Sequence, residues 1–130
     1  MKFQAVANAY KKTEMFGASE NKDSQAILIL VMEELIKSMR LFHDNISIKD
    51  GDVGVKSKSF SRALSVIYML QSSLDLEKGD QIAQDLFRMY EYARINLIAD
   101  LRNGVIKKSS DALKSIEEIL NAWRSLPSEG

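Results

Sequence analysis

Few side chains in this sequence could carry out chemistry, and the single histidine, His43, is the first to consider. A di-iron centre in a helical bundle needs inward-facing glutamates and Glu-x-x-His pairs, whereas Arg40 stands three residues before His43. His43 precedes Asp44 at the end of an amphipathic segment, which is typical of a surface histidine at a helix end. We therefore predict no metal site, and we expect replacement of His43 to have little effect.

Two pairs of carboxylates, Glu33-Glu34 and Glu117-Glu118, are the other candidates for acid-base catalysis. Each pair lies away from the apolar stripe of its segment, which favours a solvated helix face. The chain has no cysteine, so thiolate ligands and a cysteine nucleophile are excluded. It also lacks a glycine-rich phosphate loop and a nucleophile elbow. These residues predict a protein that is not an enzyme and needs no cofactor.

Composition and charge narrow the classes of partner. The chain has 130 residues, with 18 basic and 18 acidic side chains. Nucleic acids and anionic membranes attract a concentrated positive field, and this balance predicts none. The longest apolar run, residues 26–32, is far shorter than the roughly 20 residues that cross a bilayer, and the N-terminus has no signal-peptide pattern. We expect a cytoplasmic protein that neither binds nucleic acid nor inserts into a membrane.

Apolar residues recur at helical spacing in four segments, at about residues 24–44, 58–76, 80–103 and 110–126. Residues 46–58 contain Gly51 and Gly54 and are predicted to form a loop. Gly79 and Gly104 mark two further helix boundaries. The sequence therefore predicts an all-α protein: an antiparallel four-helix bundle over residues 23–127, preceded by a mobile N-terminal arm over residues 1–22.

The first three predicted helices carry more apolar residues than one core stripe requires. Those outside the stripes are Ile29, Ile36, Val66, Met69, Phe87 and Ile98. If they lie together on the surface, they form a patch of the kind that binds a partner. A wider core or a dimer interface would use the same residues, and the sequence does not separate these interpretations. Serines on the second helix would also let another helix approach closely.

Two stretches and two isolated positions resemble the flagellin-specific export chaperones of bacteria, the FliS type. Residues 62–75 read RALSVIYMLQSSLD and are similar to the second helix of that family. Residues 79–100 read GDQIAQDLFRMYEYARINLIAD, where the family has a Gly, an Ile-Ala pair and a Leu-Tyr-x-Tyr. Trp123 and Ala9-Tyr10 match a C-terminal tryptophan and an Ala-Tyr of the N-terminal arm. The resemblance therefore covers nearly the whole chain.

This resemblance implies a cytosolic chaperone that binds the disordered C-terminal segment of flagellin. Such a protein prevents premature polymerisation and delivers its client to the flagellar export apparatus. It implies that the client folds on binding and that Tyr10 covers part of the client groove when the groove is empty. An export-gate component and a co-chaperone are further partners compatible with it. The alternative is a non-catalytic helical adaptor, or a self-associating bundle, without a flagellin client.

Overall fold

The protein is represented by a computed structural model, which describes residues 3–11, 16–17 and 21–127. These residues form helices α1 (Phe3–Ala7), α2 (Asn21–Asp44), α3 (Val53–Ser72), α4 (Asp80–Asn103) and α5 (Ser109–Arg124). Over this part of the chain there is no strand, and the single bridge between extended residues joins Tyr10 to Leu74. The prediction of an all-helical protein is confirmed.

The four long helices pack in a closed ring, in which α2 contacts α3, α3 contacts α4, α4 contacts α5 and α5 contacts α2. Ion pairs of Arg40 with Glu117 and of Arg124 with Glu33 show that α2 and α5 run in opposite directions. Short connections join the consecutive helices, as expected for an antiparallel bundle. Fully buried side chains fill the centre, among them Leu28, Met32, Leu35, Met39, Ile67, Leu70, Leu97 and Ile116.

Helix α3 begins earlier than the sequence predicts. The predicted loop over residues 46–58 ends at Asp52, because the carboxylate of Asp52 accepts a hydrogen bond from the backbone N–H of Val55, at 2.9 Å, and caps the helix. The helix then ends at Ser72, before the predicted end at residue 76. Helix α4 covers the same residues as the predicted third helix and ends at Gly104, whose φ of 73° is left-handed.

The predicted N-terminal arm extends over residues 1–22, of which positions 1–2, 12–15 and 18–20 lie outside the described residues. The described part contains α1 and then an extended segment that reaches Lys11. Its apolar side chains are buried against the bundle: Phe3, Val6, Ala7, Ala9, Tyr10 and Phe16. The described residues of the arm therefore contribute to the packed core.

Candidate binding grooves

The polar residues with potential for chemistry lie at the end of the bundle where α2 ends and α5 begins. Ser109 Oγ lies 2.8 Å from Nε2 of His43 and donates to Oδ2 of Asp100 at 2.5 Å. Asp100 also accepts the backbone N–H groups of Lys107 and Ser109. The serine therefore lies between the two other groups, whereas a catalytic triad needs the histidine in the middle. Asp100 thus satisfies backbone donors just before and at the first residue of α5.

His43 belongs to this network; it lies in the last turn of α2, as predicted, and is only partly exposed. Its side chain is half-buried because the start of α5 packs over the end of α2. Burial lowers the pKa of His43, and the carboxylates of Asp100 and Asp44 oppose that effect. The imidazole therefore links α2 to α5 through its contact with Ser109.

The arm pairs with the connection between α3 and α4. The backbone N–H of Asp75 donates to the carbonyl of Ala9, and the N–H of Lys11 donates to the carbonyl of Ser73, both at 2.7 Å. A side chain on Gly79 would prevent this contact, since a Cβ there would lie 2.9 Å from Cα of Ala9. Glycine at this position therefore allows the arm to approach the start of α4.

Tyr10 extends from the arm into the core. Its hydroxyl lies 2.6 Å from that of Tyr90 on α4, and the Tyr90 hydroxyl donates to the sulfur of Met32 at 3.6 Å. Burial raises the pKa of both phenols. The ring of Phe16 packs edge-on against that of Tyr10, with 6.1 Å between ring centroids. The polar tip of Tyr10 is satisfied inside the bundle, so its aromatic body can be fully buried.

A groove of about 500 Å³ lies between α2 and α3. Leu30 and Met69 form its walls, with 65% and 39% of their surface exposed. Val31 also lines the groove, and Val66 forms its floor with only 7% exposure. The walls of this groove are therefore apolar and accessible to a partner.

The same furrow continues towards the connection between α2 and α3. Nε of Arg62 lies 2.8 Å from Oε1 of Glu34, and this ion pair crosses the furrow. Beyond the pair is a second groove of about 400 Å³. Its lining includes Lys37, Leu41 and Lys58, and its buried members are Ser38 and Ser59. Together the two parts form the α2–α3 groove, which has an apolar half and a basic half.

A wider groove of about 740 Å³ lies on the other side of α2, against α5. Two ion pairs cross it, Arg40 with Glu117 and Arg124 with Glu33. Its lining carries charges of both signs, and its floor includes Ile36, which is only 6% exposed. The two pairs of carboxylates noted in the sequence thus contribute a residue each to these surface ion pairs.

The seven predicted binding residues do not form one patch. Val66 and Met69 belong to the α2–α3 groove, whereas Ile36 lies in the α2–α5 groove and Tyr10 in the core. Ile29 is half-buried and lies one turn from Gln25, which donates to carbonyls of the α5 end. Phe87 and Ile98 are half-buried on α4; the carbonyl of Phe87 accepts a hydrogen bond from Gln71 of α3.

Sequence patterning alone did not identify Leu30, the most exposed residue of the α2–α3 groove. It lies between core positions Leu28 and Met32, so its apolar character merges with the core stripe of α2. The available signal was its angular offset, because a residue two positions after one core residue and two before the next points away from the core.

Among the described residues, no group of three or more His, Cys, Asp or Glu side chains is placed to hold a metal ion. Within the same ranges, none of the helices combines the length and the apolar character needed to cross a membrane.

The geometry defines a class of binding protein: an antiparallel helical bundle with long grooves between neighbouring helices. Comparison with known proteins identifies the family, because the family Flagellar protein FliS matches residues 4–129. The chain belongs to this family, and the resemblance seen in its sequence is confirmed.

Two curated relatives carry the name flagellar secretion chaperone FliS. The chain is 27% identical to the protein of Vibrio cholerae over 125 residues, which cover 93% of this chain and 88% of that protein. It is 32% identical to the protein of Salmonella typhimurium over 91 residues, which cover 66% of this chain and 64% of that protein. No solved structure matches the chain significantly.

Proposed function

We propose that this protein is a cytosolic flagellar secretion chaperone that binds the disordered C-terminal segment of flagellin. In this role it prevents premature polymerisation and delivers its client to the export apparatus. Membership of the FliS family and the names of the two relatives support the chaperone role. The proposal involves no catalytic step and no cofactor.

The observation that carries the client-binding step is the apolar half of the α2–α3 groove. A folded bundle gains nothing from leaving Leu30 and Met69 exposed on facing helices, whereas a docked apolar segment would remove both from water. An amphipathic helix fits a groove between two helices through anchors spaced three or four residues apart. A client that orders itself on binding has a reduced net affinity, which suits a cargo that must be released.

A client that wraps around the bundle would contact several faces. We keep the other predicted positions as proposed contacts of such a client: Ile29, Ile36, Val66, Phe87 and Ile98. For Tyr10 we keep the proposal that its ring covers part of the client groove when the groove is empty. The burial of this ring and the pairing of the arm beside the start of α4 support a docked arm without client. An export-gate component or a co-chaperone is a further proposed partner.

Calorimetric titration with the C-terminal segments of the flagellins from the same genome tests the proposal. We expect saturable binding, and we expect Leu30→Ser with Met69→Ser to weaken it. The matched control is Ile48→Ser with Val105→Ser, which removes two exposed apolar residues from the connections at one end of the bundle, away from the proposed contacts. A wild-type protein that binds none of these segments would favour the adaptor or self-associating bundle.

A further inference from the structure

The basic half of the α2–α3 groove carries positive charges that a purely apolar client surface would leave unpaired. Three of its lining residues are cationic, namely Lys37, Lys58 and Arg62, and all three are exposed. The one carboxylate that lines it, Glu34, is already paired with Arg62. In the described ranges of the chain, no acidic side chain lies within ion-pair distance of Lys37 or Lys58.

Two ammonium groups on opposite walls of one furrow attract an anionic group placed between them. Lys37 is on α2 and Lys58 is on α3, so a carboxylate lying along the furrow can approach both. The groove therefore favours a partner that has an anionic group as well as apolar side chains.

Resting on the proposed function, we infer that the segment in the α2–α3 groove is an amphipathic helix with a carboxylate-bearing end. Its apolar side chains contact Leu30 and Met69, and its carboxylates pair with Lys37 and Lys58. Leu30 and Lys37 are seven positions apart on α2, which is about 10 Å, and Lys58 and Met69 are eleven positions apart on α3, which is about 16 Å, at 1.5 Å per residue. The acidic positions of the segment are thus separated from its apolar anchors by about two to three helical turns.

A second copy of this chain is a poor occupant of the groove. The exposed apolar residues of α4, Tyr92 and Ile95, lie on a face that also carries Arg88 and Arg102. Arg88 is paired there with Asp85, so Arg102 is the cation that this face would bring towards Lys37 and Lys58, and like charges at close range oppose association. Charge complementarity therefore favours an acidic partner segment.

The test uses fluorescence anisotropy with a labelled C-terminal segment of the flagellin from the same genome. We compare the full-length protein with the double variant Lys37→Glu, Lys58→Glu and with a control, Lys49→Glu, Lys108→Glu. The control reverses the same number of exposed lysines at the end of the bundle, outside the groove. We expect the groove variant to bind about tenfold more weakly, a difference of about 1.4 kcal/mol, and the control to stay within about twofold.

Two further measurements identify the source of the effect. Added salt should weaken wild-type binding more than binding by the groove variant, because only the wild type forms the ion pairs. A client segment whose acidic residues are changed to lysine should bind the groove variant better than it binds the wild type. Circular dichroism of each variant checks that the bundle is still folded.

The outcomes separate this inference from the proposed function. If the wild type binds the segment and the groove variant binds it equally well, the inference is overturned and the chaperone role stands. If the wild type binds no flagellin segment, the proposed function itself fails. If sedimentation shows a dimer that the groove variant dissociates, a second copy occupies the groove and the inference is also overturned.

Discussion

The hydroxyl groups of Tyr10 and Tyr90 lie 2.6 Å apart, although the two residues are 80 positions apart in the sequence. Both rings are buried, and Tyr90 in turn donates to the sulfur of Met32 on α2. Each phenol in this chain of contacts therefore has a hydrogen-bonding partner within the core. The arrangement connects the N-terminal arm with two helices of the bundle, so the state of the arm should depend on these groups.

Tyr10→Phe should destabilise the docked arm by about 0.5–1.5 kcal/mol, the typical net contribution of one hydrogen bond. The ring remains to fill the core, and Tyr90 keeps its contact with Met32. Native-state hydrogen exchange at Asp75 and Lys11 measures the change, because the N–H of Asp75 donates to Ala9 of the arm and the N–H of Lys11, in the arm, donates to Ser73. Tyr68→Phe removes a hydroxyl from an exposed ring and is the control. Equal protection in wild type and Tyr10→Phe would show that the shared hydrogen bond does not hold the arm.

Alkaline pH should destabilise the protein through the same pair. Burial raises the pKa of both phenols above the ordinary value of 10.0, so the folded state favours their protonated forms. This contribution to stability is fully present below pH 10 and is lost as pH rises from 10.0 towards the raised folded-state values. Urea denaturation between neutral and alkaline pH measures the slope. Tyr10→Phe should flatten it, whereas an unchanged slope in that variant would exclude the tyrosine pair as its source.

Deletion of residues 1–12 tests whether the arm competes with the client. If Tyr10 and its neighbours must leave the bundle before the client binds, removing them should tighten binding or speed association. Stopped-flow mixing with the flagellin segment gives the rate, and titration gives the affinity. Loss of binding would instead make the arm a client contact, and an unchanged rate and affinity would separate Tyr10 from client binding altogether.

Helical periodicity predicted the helices well wherever glycines and polar caps mark their ends. Helix α4 lies between Gly79 and Gly104, and its bounds follow directly from the pattern. The start of α3 could not be predicted as well. Gly51 and Gly54 suggest a loop, whereas the cap at Asp52 depends on the local backbone conformation. Sequence spacing gives the faces of a helix, but it does not give the width of the buried face.

Burial across the helix interfaces explains why the candidate site could be predicted only in part. Ala63 and Ser59 are small and buried on α3, so α2 approaches closely and covers the flank that carries Val66. Docking of the arm could not be predicted from the sequence either, because it pairs Ala9 with Asp75, and no local sequence pattern connects these residues. Both features depend on contacts between segments distant in sequence.

His43→Ala should lower the free energy of unfolding by about 0.5–1.5 kcal/mol, because Ser109 loses one hydrogen-bonding partner and keeps Asp100. Burial lowers the pKa of His43 below 6.5, so the folded state favours the neutral imidazole. That contribution is present above pH 6.5 and is lost as pH falls below it. Urea titrations of the variant at pH 7.5 and 5.5 measure both effects, and His43→Gln, which keeps a hydrogen-bonding group, is the control. A change below about 0.3 kcal/mol at both pH values would contradict a structural role.

Val66 and Met69 lie three residues apart on α3 and should respond differently to the same truncation. Val66 forms the groove floor at 7% exposure, whereas Met69 is a wall residue at 39%. Val66→Ala should cost about 2 kcal/mol of stability, from roughly 0.8 kcal/mol per buried methylene equivalent and a cavity term. Met69→Ala should stay within about 0.5 kcal/mol, as is usual for exposed positions, yet weaken binding of the flagellin segment. Thermal denaturation and titration of the two variants in parallel measure both quantities. A large loss of stability from Met69→Ala would show that Met69 belongs to the core. Unchanged binding in that variant would show that this wall of the groove does not contact the client.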